Sequence, residues 1–212
     1  MAVFHRRQHL GKDYFMEHVL DVKKLVNELT LEEKASLCSG ADFWHTKAID
    51  RLNIPAAMVS DGPHGIRKQE SLADHMGVAE SIKAIGFPTA SAMACSFDRD
   101  LLHKVGDALG EECVAEDLAV LLGPGINMKR SPICGRNFEY YSEDPVVAGE
   151  LGAAFVNGVQ EHGVGTSLKH FAANNQEWRR MSISAEIDER TLREIYLAAF
   201  ETVVKKAQPW TI

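Results

Sequence analysis

The chain has 212 residues, 45% hydrophobic and 25% charged, with a formal charge of −7 from 23 Lys+Arg against 30 Asp+Glu. That length can bury a sizeable core within one domain, and the acidic balance argues against a sequence-independent phosphate-binding surface, so no nucleic-acid partner is expected. No run reaches the roughly 20 apolar residues of a membrane helix, and His5-Arg6-Arg7 is followed by no long apolar stretch, so neither a membrane partner nor a secretion signal is expected. Residues 1–13 read as a polar, His-rich arm. Val22, Leu25, Val26 and Leu29 fall at i, i+3, i+4 and i+7, the spacing of an amphipathic helix. Thr30-Leu31-Glu32-Glu33 has the form of a capping box, in which a hydroxyl and a carboxylate satisfy free N–H groups of a new helix.

The first strand expected is Ala56-Ala57-Met58-Val59, and a second is the small-residue run Thr89 to Ala94. Asp98 is placed to cap a long helix carrying Leu102, Val105, Leu109 and Cys113 on one side. Ala119 to Leu122 reads as an apolar strand. Asp144-Pro145 opens a helix with Leu151, Ala154, Phe155 and Val159 inward, proline being tolerated where an N–H would lack a partner. Gly163 and Gly165 bracket a turn into a strand over Thr166 to Leu168. A last helix starts near Asp188, with Leu192, Ile195, Tyr196, Ala199 and Val203 on one stripe, and Pro209-Trp210-Thr211-Ile212 looks like the opening of another strand.

Strands alternating with helices give an α/β chain, with its chemistry expected where parallel strands end. Four or five such units make an incomplete (β/α)8-type, TIM-like barrel, about half to two-thirds of a domain that typically needs about 250 residues. Because domain boundaries usually fall in exposed linkers, a chain stopping inside a strand is expected to be part of a larger domain. Cys38, Cys95, Cys113 and Cys134 lie far apart with no CxxC spacing. Neither a disulfide framework nor a structural metal is expected from them, and a reducing cytoplasm fits. Cys95 and Cys113 are expected to act as buried small hydrophobes.

Three polar runs follow the strands. Asp61-Gly62-Pro63 fixes a turn at a strand end, and Arg67 is close enough to share a pocket with Asp61. A carboxylate beside a guanidinium offers acceptors and donors together, as a polyhydroxylated ligand requires; an ion pair that merely stiffens the turn is the plainer reading. Gly123-Pro124-Gly125-Ile126-Asn127 lacks the GxxxxGK[ST] and GxGxxG patterns, so a nucleotide site is not expected. Arg136 and Asn137 precede Phe138 and two tyrosines, mixing hydrogen bonding with aromatic surface. Lys169-His170 sits at the third strand end, a place where polar side chains call for a ligand or an acidic partner. Lys169 is open to a Schiff-base role as in barrel aldolases, and His170 to that of a satisfied core histidine. The donors Asn174, Asn175, Gln176, Arg179 and Arg180 crowd the same loop and favour a sugar over a carbonyl electrophile.

At these residues the chain resembles glycoside hydrolase family 3, in its β-glucosidase branch. Ser60-Asp61-Gly62-Pro63-His64-Gly65-Ile66-Arg67 is similar to that family's first barrel loop. Gly135-Arg136-Asn137-Phe138-Glu139 with Ser142-Glu143-Asp144-Pro145 resembles its second signature, and Lys169 through Glu177 with Arg180-Met181 its third. The resemblance divides the chain into an arm and first helix over 1–28 and a partial N-terminal barrel domain over 29–212. It implies a pocket for one terminal, non-reducing sugar. Asp61 would accept from the sugar's distal hydroxyls, and Arg67, Arg136, Lys169, His170 and Arg180 would line the same subsite as donors. Ala172-Ala173-Asn174-Asn175 departs from the Pro-Gly-His-Gly run of the family's N-acetylhexosaminidases, which disfavours that branch.

Retaining glycosidases use two carboxyl groups about 5–5.5 Å apart, one as nucleophile and one as acid/base, with neither metal nor organic cofactor. The resemblance puts the nucleophile in a Ser-Asp-Trp-type strand end, which this sequence lacks, and the acid/base in a later domain. No catalytic carboxylate is therefore assigned to this chain. The expectation is the sugar-gripping part of a β-glucosidase-like hydrolase. The alternative is a non-catalytic binding or assembly module that pairs with a complementary chain, or with a second copy, through an unpaired sheet edge.

Overall fold

The computed structural model describes residues 21–69 and 80–212, so the arm expected over residues 1–13 lies outside the described residues. The chain divides into two compact units, Met1–Met58 and Val59–Ile212.

In the first unit, two polar caps start two short helices. The Asp21 carboxylate accepts from the Lys24 N–H and opens α1 (Val22–Glu28). The capping box opens α2 (Leu31–Leu37): Thr30 Oγ1 accepts from Glu33 N–H at 3.2 Å, and Glu33 Oε2 accepts from Thr30 N–H at 2.8 Å. Arg51, from a 3-10 turn over Asp50–Leu52, donates through Nε to Glu33 Oε1 at 2.6 Å and through Nη2 to the Glu28 carbonyl at 2.8 Å. Of the expected apolar stripe, Leu29 is buried, whereas Val22 and Val26 are exposed.

The second unit holds a parallel sheet in the order β1 (Val59–Asp61), β2 (Val120–Leu122) and β3 (Gly165–Thr166). Val59 stands opposite Val120, and Leu121 opposite Thr166. Parallel neighbours require crossovers, and helices supply them. Between β1 and β2 run α3 (Ala90–Ala94) and α4 (Arg99–Ala115); between β2 and β3 runs α5 (Pro145–Gln160). After β3 come α6 (Glu189–Thr191), a π-helical turn over Leu192–Tyr196, and α7 (Ala198–Ala207). The chain then returns to the sheet: Thr211 N–H donates to the Thr166 carbonyl at 3.0 Å, and Leu168 N–H to the Thr211 carbonyl at 3.1 Å. The strand opening read at Pro209–Ile212 is thus present, and the architecture is the α/β partial barrel expected.

Asp98 and Asp144 cap α4 and α5 as their positions in the sequence indicate, each accepting from two N–H groups of the first turn. These helices press together through Leu102, Leu109, Cys113, Phe155 and Val159, all fully buried. Their closeness depends on missing side chains. A Cβ on Gly106 would lie 2.3 Å from the Phe155 carbonyl oxygen, and one on Gly158 would lie 2.2 Å from that of His103.

Two expectations are corrected. Thr89 to Ala94 is not a strand: Thr89 accepts through its hydroxyl from Ala92 N–H and caps α3. Alanine's helical preference decides the run once the cap is in place. Cys113 is buried, but Cys95, at the end of that helix, is exposed. Strand boundaries also move. β1 begins at Val59 and takes in Ser60 and Asp61, β2 begins one residue late, at Val120, and β3 spans Gly165–Thr166 rather than Thr166 to Leu168.

Candidate functional site

The three polar runs converge at the C-terminal ends of the strands, all within the second unit. Asp61 is the last residue of β1. Behind it the chain doubles back: Gly65 N–H donates to the Gly62 carbonyl, and Arg67 N–H to the Asp61 carbonyl at 3.0 Å. Gly62 sits at φ +127°, where a Cβ would meet the Gly65 oxygen at 2.2 Å, so the turn needs glycine there. The neighbouring His64 accepts through Nε2 from Ala90 N–H at 2.9 Å, at the first residue of α3.

Lys169 is held by its backbone against the segment that follows β2, donating to the Pro124 carbonyl and accepting from Ile126 N–H at 2.8 Å. Its Nζ donates to Asp61 Oδ1 at 2.6 Å. Burial pulls the Asp61 carboxyl upward, but the charge and hydrogen bond of Lys169, with help from Gly62 N–H and Arg67, outweigh it. The net effect holds Asp61 below the ordinary carboxylate value, so it stays ionised. The lysine is engaged by this carboxylate rather than free for a carbonyl, which weighs against the aldolase reading.

His170 is fixed at both ends. Asn127, itself buried, clamps its backbone: the amide nitrogen donates to the His170 carbonyl at 2.9 Å, and the amide oxygen accepts from His170 N–H at 2.7 Å. The Arg136 guanidinium lies 2.6 Å from Nε2, and Tyr140 Oη lies 2.9 Å from Nδ1. A guanidinium only donates, so Nε2 accepts and the ring proton sits on Nδ1, donated to Tyr140. Burial first, then the charges of Arg136 and Lys169, push the His170 pKa down to about 3. The ring is neutral at any ordinary pH.

Arg136 also pairs with Glu139, which is buried, and its Nη1 lies 3.6 Å from Glu177 Oε1. The second oxygen of Glu177 lies 3.5 Å from Arg180 Nε. Asn174 Nδ2 donates both to Tyr140 Oη at 3.1 Å and to Glu177 Oε1 at 3.3 Å.

Of the six residues singled out in the sequence, Asp61 is bonded to Lys169 and Arg136 to His170, and the adjacency of Lys169 and His170 brings the two pairs into one cluster, in which the charges of Lys169 and Asp61 act on His170. Arg180 joins through Glu177. Arg67 is exposed; beyond its backbone bond to the Asp61 carbonyl, its side chain acts on the Asp61 carboxylate through charge, with no side-chain bond to it among the described residues. Asn127, Glu139 and Glu177 carry no individual role in the sequence reading, where Asn174 counts only as one of several loop donors and Tyr140 as part of an aromatic run. The only signal for the two glutamates is their spacing of three residues from Arg136 and Arg180. A separate cavity of about 340 Å³, lined by Ile66, Ile82, Ile85, Glu112 and Ala115 among others, shares none of these side chains.

The arrangement presents ionised acceptors, fixed cationic donors and a neutral imidazole on neighbouring strand ends, which suits a neutral molecule rich in hydroxyls. The profile described as "Glycosyl hydrolase family 3 N terminal domain" matches residues 23–210. The thermostable beta-glucosidase B of Acetivibrio thermocellus is 60% identical over 91% of the chain and 26% of its own length. An exo-alpha-(1->6)-L-arabinopyranosidase of Bifidobacterium longum is 55% identical over 88% of the chain and 25% of its own length. The crystal structure of beta-glucosidase from Kluyveromyces marxianus in complex with glucose superposes with a TM-score of 0.85, at 45% identity, over 91% of the chain and 22% of that structure. The chain therefore spans about a quarter of the length of the curated relatives it matches. It belongs to glycosyl hydrolase family 3, and the matched residues are those of the family's N-terminal domain.

Proposed function

We propose that Asp61, Arg67, Arg136, Lys169, His170 and Arg180 form the subsite that grips a terminal, non-reducing β-D-glucosyl residue in a retaining β-glucosidase-like hydrolase. The observation that carries this reading is the Lys169–Asp61 pair, which joins the first and third polar runs into one ionised acceptor with a neighbouring donor. Asp61 accepts from hydroxyls of the sugar. Lys169 and the arginines donate, and charge-assisted hydrogen bonds of this kind orient a ligand more firmly than neutral ones. Holding the ring still prepares the anomeric carbon for attack. Neither metal nor cofactor chemistry is required of these residues.

Asp61 is assigned to orientation, not to attack, and the nucleophile and the acid/base are assigned to residues outside this cluster. Glu139 and Glu177 are each bound to arginines, which suits them to support rather than to chemistry. An arabinopyranosyl residue is the second reading of the same subsite, favoured by the relative that carries that name.

The full chain incubated with a 2-deoxy-2-fluoro glucosyl fluoride tests the assignment by intact mass. No covalent adduct is expected, while saturation-transfer NMR should show contact with glucose. A fluorosugar bound covalently to any carboxylate of the chain would overturn the division of labour. Transfer to L-arabinose but not to glucose would favour the second reading.

A further inference from the structure

The cluster is unusually dense in charge for a pocket assigned to a neutral ligand. Lys169, Arg136, Arg180 and Arg67 supply positive charge; Asp61, Glu139 and Glu177 oppose it. Asp61 is spoken for by Lys169, and Glu139 sits buried against Arg136. Glu177 differs from both. It is the one carboxylate of the three that faces two guanidinium groups, with one oxygen 3.6 Å from Arg136 and the other 3.5 Å from Arg180. Arg136 Nη1 is buried and makes no hydrogen bond, so its charge is met on that side only by Glu177 across the longer gap.

We infer that Glu177 is a positioning residue that sets the charge specificity of the site, neutralising Arg136 and Arg180 so that the subsite takes an uncharged sugar and rejects a uronic acid. The inference rests on the sugar-binding reading above. Two guanidinium groups side by side are a natural fork for a carboxylate. Glu177 already occupies that fork, so an anionic sugar must displace it or sit beside it against like charge. Discrimination by an occupied counter-charge is a repulsive device rather than a new attractive contact. Asn174 holds the device in place, because the same amide that donates to Glu177 also donates to Tyr140, the partner of His170.

The experiment titrates the full chain with glucose and, separately, with glucuronate, and compares the ratio of the two affinities in wild type, Glu177→Gln and Glu177→Asp. Gln keeps an oxygen for Asn174 and nearly the same volume but removes the charge. The ratio should shift toward glucuronate by about tenfold in Glu177→Gln, a common size for one charge-assisted contact, and return most of the way in Glu177→Asp. A merely structural role for Glu177 would weaken both sugars together and leave the ratio alone. An unchanged ratio in a Glu177→Gln chain that still binds glucose overturns the inference while sparing the functional reading. A wild-type chain that binds neither sugar defeats that reading, and the inference with it.

Discussion

Lys169 Nζ and Asp61 Oδ1 meet at 2.6 Å although 108 residues separate them in the chain. Parallel pairing of β1 with β2 and of β2 with β3 brings the two strand ends to the same side of the sheet. The lysine side chain is 15% exposed and that of the aspartate 37%, so the pair is half sheltered. Its worth lies between that of a surface ion pair and that of a buried one.

Replacing Asp61 with Asn keeps the shape and removes the charge. Sugar affinity should fall at least about tenfold, the loss expected of one charge-assisted hydrogen bond, and stability by about 1 kcal/mol once solvent screening is allowed for. Calorimetric titration with glucose and a urea melt read the two effects. Because the folded carboxyl lies below its ordinary value, this stability is present above the ordinary carboxylate pKa and disappears as pH falls through the lowered one. The wild-type advantage over Asp61→Asn should therefore persist at pH 5 and vanish only in stronger acid.

His170 also loses stability on acidification, but over a higher pH range. Its folded pKa of about 3 lies below the usual value, so the unfolded chain takes up a proton first as pH falls. Stability should decline from about pH 6.5 downward by up to about 1.4 kcal/mol per pH unit. His170→Gln removes the titration while leaving groups for Arg136 and Tyr140. The difference between the two proteins' unfolding free energies should change between pH 7 and pH 4; parallel curves would contradict the buried neutral imidazole.

Gly158 lets α5 approach α4 closely, since its Cβ would stand 2.2 Å from the His103 carbonyl oxygen. Gly158→Ala should destabilise by about 1–3 kcal/mol, the usual cost of overpacking, as measured by urea denaturation. Equal stability would show that the helices can part without loss.

Asp144 belongs to a polar run singled out for chemistry, yet its carboxylate is spent on the first turn of α5, accepting from Val146 and Val147 N–H. Asp144→Ala should cost about 1 kcal/mol of stability, as for other helix caps. Glucose affinity measured below the melting range should stay within about twofold, since the residue makes no bond to the cluster.

The sequence exposed caps and strand ends because each is written in adjacent residues: Thr30 with Glu33, Asp98 ahead of its helix, Asp144 with Pro145. It also exposed Asp61, Lys169 and His170, since charged groups behind apolar strands stand out. It misplaced Thr89 to Ala94, where small residues fit strand or helix and a single hydroxyl cap decides. The supporting residues were not legible for a different reason. Tyr140 and Asn127 look like ordinary loop residues until the fold sets them against His170, 30 and 43 positions away. Glu177 reads as one more polar residue in a polar loop until Arg136 arrives from the preceding one.

Titration of the full chain with glucose, wild type beside Asp61→Asn, tests the sugar-gripping cluster most directly. The account predicts saturable binding by the wild type that the substitution weakens at least about tenfold while the fold persists. Equal binding by the two proteins, or none by a folded wild-type chain, would contradict it.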